Sequence, residues 1–371
     1  MKRVLAILVA LALVMPMALA VETGTGIGIT IETEDFPPLI WMCDHRKVKD
    51  DNVEWGRVSE GREELVERHL NYAFEGESIK WLVLVLDKNG IEKIEDVYVS
   101  VGPDQGSGQY IEANCVLDTE NNGKILDSCN ARIDEEKLKD FDPMIMAYYK
   151  CLFTVETPAS MHGEYWVTAN VIDMDGLLGT MDEHEYWFFN PVVALTITGT
   201  PLNFGIVRPG TDAYSNTITV GNGAEAGSGV MLDMFISGTD FFDPTHSGAK
   251  CPQSNVLRLD RFFYFATNGA YSTHSDEGCD DDWYDPAAQR TEDDEGYVNI
   301  QWGNSFSRDM YNEAEIIQDG PMGPTCDPET YWQGNLLSPG SEMSLTFKLR
   351  LPEPCNGDFS DGSIFFWGEA V

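Results

Sequence analysis

Trp81-Leu82-Val83-Leu84-Val85-Leu86, followed by Asp87-Lys88-Asn89-Gly90, is the stretch that decides the fold. An unbroken apolar run of strand length leaves no polar face, so residues 81–86 read as a central strand covered on both sides. Asn89-Gly90 is the dipeptide favoured by tight hairpin turns, and it turns the chain into a second strand where Val97, Val99 and Val101 alternate. The pattern repeats downstream. Tyr165-Trp166-Val167-Thr168-Ala169-Asn170-Val171-Ile172 runs into Asp173-Met174-Asp175-Gly176, and Glu185 to Phe189 reads as the returning strand. Two such hairpins describe a β-sandwich. Residues 61–72 and 134–140 have helical composition, but their charge suits a solvated helix or an irregular loop equally well.

Asn190-Pro191 closes this half, and the alternating Val193, Leu195 and Ile197 begin another. The second half continues through Leu202 to Gly210, Thr217 to Val220 and Phe262 to Phe265. Leu345, Phe347, Leu349 and Leu351 then alternate with polar residues, and Ile364 to Trp367 follow. Short strands between Pro and Gly turns again indicate a sandwich. The chain therefore reads as all-β, with one β-sandwich domain over 21–190 and a second over 191–371. The second carries a long acidic loop insertion, 266–340, rich in Gly, Asp and Asn. An insertion of that length is functional decoration or a loop pinned by cross-links.

Residues 1–20 combine Lys2 and Arg3, an apolar run from Val4 to Val14 and Ala18-Leu19-Ala20, the layout of a cleaved signal peptide. The run is short and Pro16 interrupts it, which argues against an uncleaved anchor; no later stretch has the length of a transmembrane helix. The expected location is secreted or extracellular. The eight cysteines agree: Cys43, Cys115, Cys129 and Cys151 lie in the first half and Cys251, Cys279, Cys326 and Cys355 in the second. No C-x-x-C spacing supports zinc, and four cysteines per half suit disulfides confined to each half, with connectivity open.

The 371 residues carry 62 Asp+Glu against 24 Lys+Arg, a formal net charge of −38. A polyanion would meet like charge over nearly every face, so nucleic acid is the least expected partner. The content of 43% hydrophobic residues, with 11% aromatics and nine Trp, is too much apolar material for a solvated coil. The acidity is shared: 14 Lys+Arg oppose 35 Asp+Glu over 21–191, and 8 oppose 27 over 192–371. Copies so charged repel one another, and their association would need divalent cations or high salt.

The turn around Asn89-Gly90, the strand Gly163-Glu164-Tyr165-Trp166-Val167 and the following Val171-Ile172-Asp173 with Asp175-Gly176 resemble the immunoglobulin-like domains of bacterial and archaeal surface proteins. In the second half, Leu202, Phe204-Gly205, Val207 and Pro209-Gly210, with Ile218, Val220 and Asn222, are similar to secreted β-sandwich domains of the camelysin and biofilm-matrix-fibre type. The long acidic insert and the four cysteines depart from that pattern. The whole chain resembles an archaeal-type secreted surface-layer or cell-envelope protein. The resemblance implies a structural or adhesive role rather than catalysis.

The residues themselves point the same way. No G-x-S-x-G elbow, H-E-x-x-H helix or Walker loop occurs, so no catalytic residue is assigned. Ca²⁺ is the inorganic ligand that the acidic turns suit, because hard cations want six to eight oxygens. The candidate ligands are Asp87 and Asn89 with Glu95 or Asp96, then Asp173 with Asp175. A third group is the cluster Asp276, Glu277, Asp280, Asp281, Asp282 and Asp285. The competing readings are ordinary turn chemistry for the first two and a solvated acidic loop for the third. Trp283, Tyr284, Tyr297, Trp302, Tyr311, Tyr331 and Trp332 could stack on glycans, or lie packed down against the sandwich. The strand-competent ends, Gly26 to Ile31 and Ile364 to Trp367, either pair within the chain or add to the sheet of a neighbouring copy or another envelope protein.

Overall fold

The strand expected at residues 81–86 forms within Ser78–Leu86 and is central, with Leu39–Lys49 antiparallel on one side and Met146–Thr154 on the other. In the computed structural model the described residues are 31–49, 70–104, 111–121, 123–130, 138, 140–181, 185–245, 250–252, 255–274, 293, 295–300, 314–317 and 333–371. Phe36–Val371 is one compact unit, and Ile31 and Glu32, at the end of the first expected strand, join no ladder.

The first half contains β1 (Leu39–Lys49), β2 (Tyr72–Ala73), β3 (Ser78–Leu86), β4 (Ile94–Gly102), β5 (Ile111–Asp118), β6 (Met146–Thr154), β7 (Gly163–Asp173), β8 (Leu178–Met181) and β9 (Tyr186–Phe189). Their order is β1-β3-β6-β5-β4-β7-β9-β2, with β8 also on β7. The ladder turns a corner at β5. Ile111 to Asn114 pair with β4, whereas Cys115 to Asp118 pair with β6. Two layers then face each other over one core. Trp81, Val83 and Val85 of β3 and Phe153 of β6 meet Val97, Val99 and Val101 of β4, Val167, Ala169 and Val171 of β7, and Trp187 and Phe189 of β9. The Trp81 and Trp187 rings lie edge to face with centroids 6.0 Å apart.

Why the 81–86 run has no polar face is now plain. Leu82, Leu84 and Leu86 form a second, outer cluster with Cys43, Met146, Tyr148 and Cys129. The connection after β5 folds over that face, Phe141 stacking on Tyr148 at 5.7 Å and the Cys43–Cys129 disulfide fastening it. The expected hairpin between residues 81–86 and 97–101 does not form. Both edges of β3 are already taken by β1 and β6, so the chain leaves through Asp87 to Gly90 and crosses to the opposite layer as β4. The second expected turn, Asp173 to Gly176, does make a hairpin, but the strand that returns is β8, Leu178–Met181, rather than Glu185 to Phe189. Tyr186–Phe189 lies antiparallel to the other end of β7.

The second half contains β10 (Leu195–Thr198), β11 (Asp212–Asn222), β12 (Leu232–Gly238), β13 (Phe262–Asn268), β14 (Tyr271–Ser272), β15 (Val298–Asn299), β16 (Ala314–Glu315), β17 (Leu336–Leu337), β18 (Glu342–Arg350) and β19 (Ile364–Ala370). One sheet runs β10-β11-β18-β13-β14 with β15 on β13; the other runs β16-β12-β17 with β19 on β12. Ile218, Val220, Leu345, Phe347, Tyr264 and Ala266 of the first sheet share a core with Leu232, Met234 and Ile236 of the second. Residues 202–210 join no ladder. Pro201 and Pro209 withhold donors and Gly205 and Gly210 take positive φ, while Leu202, Phe204 and Val207 still pack on the core. Described parts of the 266–340 insertion belong to the body of this half: they supply β14 to β17 and bury Ile300, Ile316, Ile317 and Leu337. The C-terminal strand pairs within the chain, β19 lying along β12 from Ile364 to Ala370.

The halves share a wall. β2 and β9 are parallel neighbours, Tyr72 opposite Phe188 and Ala73 opposite Phe189. Ala73, Trp187 and Phe189 face the first core, while Tyr72 and Phe188 belong to the second, as the period-two alternation of a strand requires. The Tyr72 hydroxyl donates to the carbonyl of Val371. Asn190 takes a left-handed φ of 49° at the turn between halves, and its amide donates to the carbonyls of Glu156 at 2.8 Å and Met161 at 2.6 Å. Of the two segments with helical composition, residues 61–69 and 134–137 lie outside the described residues, and Tyr72 opens β2.

Candidate cation site at the turns of the first half

Asp87 ends just after β3 and Asp173 ends β7, and the fold brings these two turns to the same end of the first half. Ile94, which opens β4, sits opposite Asp173, and the Met174 N–H donates to the carbonyl of Lys93 at 2.8 Å. Gly90 and Gly176 close the two turns with φ of 122° and 80°, conformations that a side chain would strain. Asp87 is wholly buried. Its Oδ1 accepts the Asn89 N–H at 2.7 Å, and its Oδ2 has no hydrogen-bond partner. Asp173 is 2% exposed, and its Oδ1 accepts the N–H groups of Asp175 at 3.0 Å and Leu177 at 2.7 Å. Burial pushes the Asp87 carboxyl up from the ordinary aspartate value, and the charges of Asp173 and Glu92 add to it; the Asn89 N–H and Lys93 oppose it.

The four turn residues divide differently from the sequence pairing. The charge of Asp173 acts on Asp87, whereas Asn89 Oδ1 accepts the Phe36 N–H at 2.6 Å and Asp175 pairs with Lys93 at 2.9 Å. Glu95 and Asp96 are exposed on β4. Asp276, Glu277, Asp280, Asp281, Asp282 and Asp285 lie outside the described residues. Among the described residues, no three His, Cys, Asp or Glu side chains converge to cage a metal. An ion held here would therefore keep several waters.

A second polar cluster went unread in the sequence. The Lys348 ammonium, on β18, lies 2.9 Å from Asp293, 2.9 Å from Glu295 and 3.6 Å from Asp212, with the Tyr214 and Tyr297 rings each 5.5 Å away. Arg350 also reaches Asp293, at 2.7 Å. Burial disfavours the ammonium, but Asp293 and Glu295 outweigh it and hold Lys348 above the usual lysine range. The signal available was that Lys348 and Arg350 alternate with core residues in a half holding only eight basic residues. Tyr297 packs on Tyr214 at 5.6 Å and Phe265 at 5.7 Å, as the packed-down reading requires. Trp283, Tyr284, Trp302, Tyr311, Tyr331 and Trp332 lie outside the described residues.

Cys43 joins Cys129, Cys115 joins Cys151 and Cys251 joins Cys355. Each bond stays within its half of the chain, as the spacing led us to expect. Cys279 and Cys326 lie outside the described residues.

No protein-family description matches the chain, and no curated protein does. Among solved structures, a provisionally assigned secreted protein from Eubacterium rectale aligns at 7% identity with a TM-score of 0.24, over 79% of this chain and 66% of that one. A chain designated BspA_C_WT aligns at 10% identity and 0.29, over 88% and 96%. A chain from a chaperone–tip adhesin complex of CFA/I fimbriae aligns at 8% and 0.21, over 91% and 92%. Similarity this slight assigns neither a fold family nor a function. Among the described residues, no helix is long and apolar enough to cross a membrane.

Proposed function

We propose that this chain is a secreted, non-enzymatic structural protein of the cell envelope, of surface-layer or extracellular-filament type. In this reading it is built from two immunoglobulin-like sandwiches that divide near residue 190. The observation that carries the reading is the disulfide chemistry. Three bonds fasten an all-β chain whose first 20 residues have signal-peptide layout, and such bonds persist in oxidising exteriors. Its partners are other copies of itself or other envelope proteins. Removal of residues 1–20 leaves 22 Lys+Arg against 62 Asp+Glu, so copies approach only when salt or divalent cations screen them. Electron microscopy of the purified chain lacking residues 1–20, in low-salt chelator and then with millimolar Ca²⁺, tests the reading. Sheets or filaments that appear with the cation support it. Monodisperse particles under every condition, joined by retention on a glycan array, would replace it with an adhesin.

A further inference from the structure

Asp87 and Asp173 are two buried carboxylates, each with one oxygen that takes no hydrogen bond. Asp87 Oδ2 has no hydrogen-bond partner although the residue is wholly buried, and the donors that reach Asp173 all fall on its Oδ1. Lys93, the cation whose charge acts on Asp87, places its ammonium 2.9 Å from Asp175. A buried charge without a partner is strongly disfavoured. A proton shared by the pair would still leave one net negative charge in place, whereas a divalent cation neutralises both carboxylates.

We propose that Asp87 and Asp173 together bind one Ca²⁺-class divalent cation, which clips the β3–β4 crossover to the β7–β8 hairpin. The site draws two ligands from turns far apart in the chain, and each turn alone offers an incomplete set. With two carboxylates and the remaining coordination left to water and main-chain oxygens, the affinity belongs in the range of about 0.1–1 mM typical of extracellular modules. The proposal does not depend on whether the protein assembles.

The test is thermal unfolding of the full chain, titrated with CaCl₂ alone and compared with EDTA. The wild type should gain about 3 °C at 10 mM Ca²⁺. Asp87→Asn and Asp173→Asn retain the oxygen that accepts the turn N–H groups, and each should abolish that gain. In EDTA, Asp87→Asn should melt at or above the wild-type temperature, because one of two buried charges that act on each other is gone. A merely structural aspartate would instead lose stability in EDTA and keep the Ca²⁺ response. Absence of any rise in the wild type overturns the proposal. So does a rise that persists in both variants, which would place the ion elsewhere. Should Asp87→Asn fail to fold, Asp173→Asn gives the same reading.

Discussion

Asp233 and Glu369 stand directly opposite each other across the ladder between β12 and β19. Asp233 is 1% exposed, and its Oδ1 accepts the Asn335 amide N–H at 2.7 Å. Burial first, and the charge of Glu369 after it, raise the Asp233 carboxyl to about 7, while the Asn335 amide opposes the shift. The C-terminal strand is thus held by a ladder that contains two like charges face to face, an arrangement that weakens sheets unless a proton intervenes.

This pairing sets a pH dependence. In the unfolded chain an aspartate loses its proton near about 4, whereas in the folded chain Asp233 keeps it to about 7. Between those values the folded state binds the extra proton, so stability falls as pH rises and levels off above 7. The melting temperature should be lower at pH 8 than at pH 5. Asp233→Asn should flatten the difference relative to the wild type, which calorimetry across the range will show. Parallel profiles for the two proteins would remove Asp233 from the explanation.

The shared wall of β2 and β9 predicts one cooperative transition rather than two. Phe189→Ala empties a site in the first core and Leu345→Ala one in the second, each at a cost of about 3–5 kcal/mol. Both should shift the same calorimetric peak. Two peaks, with each variant moving only one, would mean that Tyr72 and Phe188 do not couple the cores.

Loss of cross-links should hurt in order of the loop they close. The Cys115–Cys151 bond spans 36 residues and the Cys43–Cys129 bond spans 86. Loop entropy gives about 4 kcal/mol for the first and about 5 kcal/mol for the second. Paired Cys→Ala variants, compared by urea denaturation, should follow that order. Removal of Cys43 and Cys129 should in addition expose the outer face of Leu82, Leu84 and Leu86 to hydrophobic dyes.

Lys348→Met should cost more than Arg350→Met. Lys348 is 6% exposed by side chain and holds Asp293 and Glu295 together, whereas Arg350 is 38% exposed and shares Asp293. Removal of one partner from a buried pair costs about 3–5 kcal/mol, and the lower end applies because Glu295 can turn to water. Denaturant midpoints will check the order. The double variant Lys348→Met with Asp293→Asn should recover part of the loss.

Strand period and turn residues made the elements legible: Trp81 to Leu86, Tyr165 to Ile172 and Leu345 to Leu349 all lie in the strands they announce. What could not be read was partnership. Asp87-Lys88-Asn89-Gly90 has hairpin chemistry, yet the occupied edges of β3 send the chain to the other layer, and edge occupancy is set by β1 and β6, far away in sequence. For the same reason Asp87 and Asp173 read as two separate turns. Lys348 looked like a strand's solvent face until Asp293 and Glu295, from within the insertion, arrived to cover it. Asp233 sits between Leu232 and Met234, and its partners Asn335 and Glu369 come from segments far along the chain.

The corner strand β5 gives the first half a particular load path. One continuous backbone is hydrogen-bonded to β4 along Ile111 to Asn114 and to β6 from Cys115 onward, and the Cys115–Cys151 bond lies at the changeover. Tension that would part the two layers is carried in part by that strand, which is hydrogen-bonded into both. At the changeover it meets a covalent bond rather than a row of hydrogen bonds that could open one after another. Under stretching the outer strands should therefore peel first, and the corner should remain as a short inextensible hinge until the disulfide is reduced.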